Sequence, residues 1–195
     1  MTSLIPSADV DVICAQIEAT PGIERLRALV GQDVDLEPEM IAAILHEASR
    51  FADAWLAPLN SVTDRDGCRI EGGRVRTAPG HAAAWAAYAK AGWLGLDQPA
   101  AVGGQDLPIT VLAACTELFD RACIAFGMLP TGSRAAARLI AAHADETTRA
   151  EWLPRLTSGE WAATICISEP DAGSDVGRIR TLATPTADVG AGVGL

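Results

Sequence analysis

Trp161-Ala-Ala-Thr-Ile-Cys-Ile-Ser168, followed by Glu169-Pro170-Asp171-Ala172-Gly173-Ser174-Asp175, is where this chain changes character. The first eight residues are short, partly β-branched and free of charge, which suits a strand better than another helix. The next seven carry the punctuation of a functional loop. Pro170 keeps Glu169 extended, Gly173 permits a positive φ, and the turn can aim consecutive backbone N–H groups and two hydroxyls at one small polar ligand. The same residues also suit an Asx-type turn after a strand. Beyond Arg180 only TLATPTADVGAGVGL remains, glycine-rich and without apolar alternation. A lone strand and loop cannot make an independently stable sheet. The expected fold is therefore mainly α, a helical body followed by the first strand and loop of a truncated β-domain.

Upstream of Trp161 the apolar residues recur at helical spacing. Val12, Ile13, Ile17, Leu26, Leu29 and Val30, interrupted by Pro21-Gly22, predict two short helices, the second ended by Gly31. Glu37-Pro38-Glu39 places proline and acids at a helix start, with Ile41, Leu45, Ala48, Ala52, Trp55 and Leu56 on one face and Pro58 as its stop. Asn60 to Thr77, with Asp66-Gly67 and Gly72-Gly73, reads as an excursion loop or small hairpin. A helix from Pro79 carries Trp85 and Tyr88 and ends at Gly92. Pro108 opens a helix with Val111, Leu112, Cys115, Leu118, Phe119 and Ala122 on one central stripe. After a connection at Gly127-Met128-Leu129-Pro130, helices over about Gly132–Ala142 and Asp145–Leu156 follow, the latter capped by Asp145 and closed by Gly159.

Composition narrows the class. The 195 residues are 49% hydrophobic and 21% charged, enough apolar material for a packed core. With 15 basic against 25 acidic residues the net charge is −10, so the basic surface that nucleic acid demands is missing. Thr77 to Ala89, the longest uncharged stretch, falls short of the roughly 20 residues that span a bilayer. The N-terminus meets Asp9 and Asp11 early and has no basic region before its apolar residues, which points to the cytoplasm. Cys14, Cys68, Cys115, Cys123 and Cys166 are odd in number and lack a C-x-x-C pair, as for buried reduced thiols. His46, His81 and His143 lie on separate helices without ligand spacing, so no metal site is assigned. The five tryptophans read mostly as core. Gly103-Gly104 lacks the context of a phosphate loop, and Asp33 to Glu39 reads as a solvated helix entrance.

With its flanks the loop stands as CISEPDAGSDVGRIRT, Cys166 to Thr181, and this resembles the acyl-CoA dehydrogenase signature, a strand ending in threonine or serine before E-P-x-A-G-S-D. The likeness extends back through Leu153-Pro154-Arg155-Leu156-Thr157-Ser158-Gly159-Glu160, Gly92-Trp93-Leu94-Gly95-Leu96 and the helix after Pro108, covering roughly Glu37 to Thr181. The polar insertion before Pro79 is similar to a long bacterial subgroup that includes the methylthiopropionyl-CoA dehydrogenases. The resemblance implies a helical N-terminal domain, a middle β-domain and a C-terminal bundle enclosing FAD and an acyl-CoA substrate, with a separate electron-transfer acceptor. A glutamate base takes the α-proton while the β-hydride passes to flavin N5.

By motif position, the resemblance implies that Ile165, Ile167 and Ser168 lie along the flavin, the Ser168 hydroxyl bonding its pyrimidine edge. Gly173 and Ser174 stand where flavin and thioester meet, and Met128 and Thr131 line the acyl tunnel, unless Met128 to Thr131 is a simple connection between helices. The family usually has an aromatic residue at the place of Ile165 and threonine at Ser168. The position of Glu169 is a fixed part of the loop with a structural role. The base belongs to family regions after Thr181, so no catalytic residue is assigned here.

The expected organisation is a helical extension over 1–36, the helical domain over 37–160, the start of the β-domain over 161–181 and a flexible tail over 182–195. The expected function is that of the N-terminal portion of an FAD-dependent acyl-CoA dehydrogenase, inactive as an isolated chain. Two other readings stand beside it: a stand-alone helical interaction subunit completed by a partner chain, and a truncated or frameshifted remnant, for which the glycine-rich tail and 14 arginines against one lysine speak; among partners, a homo-oligomer or a complementing chain is expected.

Overall fold

The computed structural model describes residues 7–29 and 36–182, in two compact units, Met1–Thr164 and Ile165–Leu195. The expected stop at Gly31, the acids of Asp33 to Asp35 and the tail after Leu182 lie outside the described residues. In the first unit the helices are α1 (Ser7–Glu18), α2 (Ile23–Leu29), α3 (Pro38–Phe51), α4 (Ala57–Asp66), α5 (His81–Lys90), α6 (Ile109–His143) and α7 (Glu146–Ser158). A two-stranded ribbon, β1 (Arg69–Glu71) and β2 (Arg74–Arg76), separates α4 from α5. Among the described residues no helix is long and apolar enough to cross a membrane.

The start of α3 follows the sequence reading. Glu37 is extended, Pro38 fills the first turn where a missing N–H costs nothing, and Ile41, Leu45 and Ala48 are buried on the periodic face. Past Phe51 the chain departs from it. Ala52–Leu56 forms a π-helical turn, which takes more residues per revolution than 3.6. Three residues after Ala52 the backbone has not come round to the core, so Trp55 is left 44% exposed while Leu56 is fully buried. Pro58 does not stop the helix as expected. It falls in the first turn of α4, where proline is tolerated. The expected loop from Asn60 is likewise helical as far as Asp66, anchored by buried Leu59, and the hairpin begins only after Gly67.

The central stripe of α6 is buried as its spacing predicts, but the expected connection over Gly127–Pro130 is helical. The break lies at Cys123, whose φ of −160° and ψ of 92° are extended. Gly127 serves close packing instead, since a Cβ there would overlap the Asp120 carboxylate. Asp145 caps α7, accepting from the Thr148 N–H at 2.8 Å, and Gly159 ends it at φ 77°.

The core centres on Phe51, whose ring packs 5.7 Å from Tyr88, 6.0 Å from Trp93 and 5.9 Å from Phe119. Such edge-on aromatic pairs contribute about 0.5–1.5 kcal/mol beyond burial. Arg134 is buried beneath this cluster, donating to the Tyr88 hydroxyl at 2.7 Å and the Trp93 carbonyl at 2.6 Å. Burial pushes both the Tyr88 phenol and the Cys115 thiol up to about 12. Two expectations fail on exposure. Cys68 and Cys166 are exposed rather than buried, and Trp93 is the one tryptophan in the core. Trp85 is only partly buried, donating to the Gly159 carbonyl at 3.2 Å, and Trp152 and Trp161 stack edge-on at 5.3 Å.

Trp161 to Ser168 forms no strand. A strand is defined by its ladder, and among the described residues this segment has none. In the first unit the segment is tied by Ala163, which packs on the Ala137, Leu153 and Leu156 cluster and whose N–H donates to the Ser133 hydroxyl at 3.2 Å.

Candidate functional site

In the second unit the loop is shaped by Glu169. Its N–H donates to the Ala172 carbonyl at 2.7 Å, and the Ala172 N–H returns to the Glu169 carbonyl at 3.2 Å, closing a turn with Pro170 and Asp171 at the corner. The Glu169 carboxylate reaches across to accept from the N–H groups of Arg180 and Thr181, each at 2.9 Å, and from the Thr181 hydroxyl. These bonds, the hydroxyl's foremost, hold its carboxyl below the usual range. A group so occupied is a fixed ionised strut rather than a proton acceptor, in keeping with a structural role.

The turn closes at Ala172, so Gly173 follows it without the positive φ that the sequence suggested. A Cβ on Gly173 would meet nothing within 4 Å. Ser168 and Ser174 are both exposed. Ile165 and Ile167, two residues apart, are each half-exposed, and between Thr164 and Ser168 the backbone N–H groups have no partner among the described residues. This open stretch offers apolar side chains and several free donors.

In the first unit a groove of about 560 Å³ lies inside the bend of α6, lined among others by Leu112, Thr116, Asp120, Thr131, Arg134 and Ala135. At 1.5 Å per residue a straight helix would hold Leu112 and Ala135 about 34 Å apart. Only the break at Cys123 brings the two halves to one cavity. Thr131 faces this groove, with its hydroxyl donating to the Gly127 carbonyl at 3.1 Å, whereas Met128 is 73% exposed and does not line it.

Sequence reasoning missed the charges here. The Asp97 carboxylate, its side chain 3% exposed, pairs with Arg138 and lies 4.0 Å from Arg134. Asp120 carries a buried oxygen without a hydrogen-bond partner, and burial raises its carboxyl against the pull of Arg134. The spacing of Arg134 and Arg138, one helical turn apart, was the available signal.

Residues 38–160 match the family of the acyl-CoA dehydrogenase N-terminal domain. The chain is 32% identical over 188 residues to 3-methylmercaptopropionyl-CoA dehydrogenase of Ruegeria pomeroyi, an alignment covering 96% of this chain and 31% of that protein. It is 38% identical over 102 residues to (2S)-methylsuccinyl-CoA dehydrogenase of Cereibacter sphaeroides, covering 52% and 19%. A butyryl-CoA dehydrogenase of Syntrophomonas wolfei is 31% identical over 134 residues, covering 67% and 22%. The chain thus spans less than a third of the length of these relatives. Because the family match spans residues 38–160, more than half of the chain, the chain belongs to the acyl-CoA dehydrogenase family.

Proposed function

We propose that these residues are the N-terminal portion of an FAD-dependent enzyme that oxidises an acyl-CoA thioester to its trans-2-enoyl-CoA. The open stretch from Ile165 to Ser168, in a chain of this family, is the observation that carries the reading. Its residues fit a flavin. Ile165 and Ile167 supply apolar contact for a planar ring, and the free N–H groups with the Ser168 hydroxyl supply donors for its polar edge. Such donors stabilise negative charge that grows on a reduced ring system. Bound FAD would supply the two-electron acceptor for the oxidation, with a separate electron-transfer acceptor as its partner. In this reading Gly173 and Ser174 are the second unit's contacts to flavin and thioester, and Met128 and Thr131 are the residues of the first unit assigned to the acyl chain, as the likeness to the family implies.

Glu169 holds the loop and takes no proton, so the chain contributes cofactor and substrate contacts rather than the base. The 195 residues expressed alone are therefore expected to bind FAD weakly and to leave acyl-CoA unchanged, since positioning by a complete site is worth roughly 7–11 kcal/mol of barrier.

The test is to reconstitute with FAD a longer polypeptide carrying these residues and to follow dye reduction with a panel of acyl-CoAs. Formation of enoyl-CoA is expected, with Ser168→Ala weakening flavin or transition-state binding by about 0.5–1.5 kcal/mol. A protein that takes up no flavin would overturn the reading, and unchanged flavin affinity and turnover in Ser168→Ala would remove that residue from the site.

A further inference from the structure

One turn of α6 is built to receive the backbone of Ala163. Ser133, 1% exposed, accepts from the Ala163 N–H at 3.2 Å. One residue earlier, a Cβ on Gly132 would stand 2.5 Å from the Ala163 carbonyl oxygen and 3.7 Å from the Thr164 Cα. Both polar groups of Ala163 therefore lie against the same turn, and its side chain completes the seat by packing on the Ala137, Leu153 and Leu156 cluster.

Neither α6 residue suits a helix interior for its own sake. Glycine is unfavourable there because of the backbone entropy it loses, and Gly132 takes no positive φ that would require it. Close approach of another backbone is the reason that remains. Serine is also a poor interior choice, usually turned to solvent or to a carbonyl of its own helix. Ser133 is instead buried and bonded to a segment 30 residues away. The next residue, Arg134, is pinned by the Tyr88 hydroxyl and the Trp93 carbonyl, so the turn carrying the seat is held against the core. From Thr164 to Ser168 the backbone N–H groups have no partner among the described residues. Ala163 is thus the last position before them that a hydrogen bond fixes.

We propose that Gly132 and Ser133 are positioning residues for the cofactor. They hold the peptide groups of Ala163 and so set the point from which the chain leaves the helical body toward Ile165, Ile167 and Ser168. The proposal rests on the flavin reading of that stretch, and both residues act through Ala163 rather than on the ring.

Two variants lose the seat in different ways. Ser133→Ala removes the acceptor, whereas Gly132→Ala keeps it and drives the Ala163 carbonyl away while favouring the helix. On the 195-residue chain, hydrogen exchange read by NMR should show the Ala163 amide about tenfold faster in both variants, with the amides of Leu118 and Phe119 unchanged. In the longer polypeptide reconstituted with FAD, both should weaken flavin affinity about two- to tenfold, the range that one lost hydrogen bond covers. Both should also shift the flavin absorption bands, which a change in stability alone would not move. An Ala163 amide unaltered in both variants would overturn the seat. Faster exchange with the parent's flavin affinity and absorption bands would overturn its positioning role. A parent that takes up no flavin would overturn the flavin reading and this role with it, an outcome told apart because the unsubstituted protein itself fails.

Discussion

The residues up to Thr164 and those from Ile165 to Leu182 are held in shape by different forces. The first set buries a continuous cluster running from Val10 to Phe126, with the Phe51 and Phe119 rings each edge-on to Tyr88 and Trp93 and to one another. The second buries one apolar side chain, Ala172, and leaves Ile165, Ile167, Val176, Ile179 and Leu182 between 40% and 87% exposed. What fixes it is a closed turn and the Glu169 carboxylate. A helical body of this kind stabilises itself, whereas a polar-braced loop holds a shape while keeping its apolar side chains free for something else. The sharpest way to break that distinction is truncation. Phe119→Ala should cost about 3–5 kcal/mol in urea unfolding, because Phe119 is 2% exposed among three aromatic rings. Ile167→Ala should stay within about 0.5 kcal/mol of the parent. Equal losses would mean that the loop carries a share of the core.

A smaller effect separates two glycines. A Cβ on Gly104 would overlap the backbone carbonyl of Gln98, which already accepts from the Asp106 N–H at 3.0 Å. Backbone cannot rotate aside as a side chain can, so Gly104→Ala should destabilise by about 1–3 kcal/mol. Gly173 has open space and no positive φ, and Gly173→Ala should leave the unfolding midpoint unchanged. Any penalty from it should then appear in flavin binding alone. A midpoint shift for Gly173→Ala comparable with that of Gly104→Ala would contradict the contrast.

What the sequence disclosed follows the same division. The stripes Ile41-Leu45-Ala48 and Val111-Leu112-Cys115-Leu118 were legible because burial imposes a period that composition records. Asp145 was legible because capping is local. Trp55 and Cys123 were not. The bend at Cys123 depends on how helices meet across the core and is not marked by the glycine or proline that usually signals a break, while Pro58, whose ring would meet the Ala54 carbonyl four residues back in a regular α-helix, marks a π-helical turn rather than the stop it suggested. Gly127 and Pro130, which do carry that signal, lie inside a continuing helix. Buried Arg134 escaped notice because its acceptors, the Tyr88 hydroxyl and the Trp93 carbonyl, are 46 and 41 residues away in sequence. The strut that shapes the loop escaped notice too, since the Glu169 bonds close over 11 and 12 residues. An extended segment is written in β-branched residues, while its ladder depends on a neighbour that local pattern does not name.

The finest contrast lies between two carboxylates displaced in opposite directions. Burial raises Asp120 from its ordinary value near 3.8, with Arg134 pulling against it. Hydrogen bonds from the Thr181 hydroxyl and then the Arg180 and Thr181 amides lower Glu169 from its ordinary value near 4.5. Linkage gives each a sign. For Asp120 the folded state binds its proton more tightly than the unfolded chain does, so its ionised form is a liability at neutral pH that fades as acid neutralises it. Asp120→Asn should therefore raise the neutral-pH unfolding midpoint, and the gain should shrink as pH falls through the raised folded value and vanish below the ordinary value near 3.8. For Glu169 the folded state releases its proton more readily. Its bracing is complete above the unfolded value near 4.5 and is lost as pH falls through the lower folded value. The amide resonances of Arg180 and Thr181 report this directly. They should move together in a single titration below the ordinary glutamate range, and in Glu169→Gln they should already sit near the acid positions at neutral pH. Titration of those amides at or above the ordinary value would show that the carboxylate does not brace the loop, and the open stretch from Ile165 to Ser168 would lose the strut that follows it.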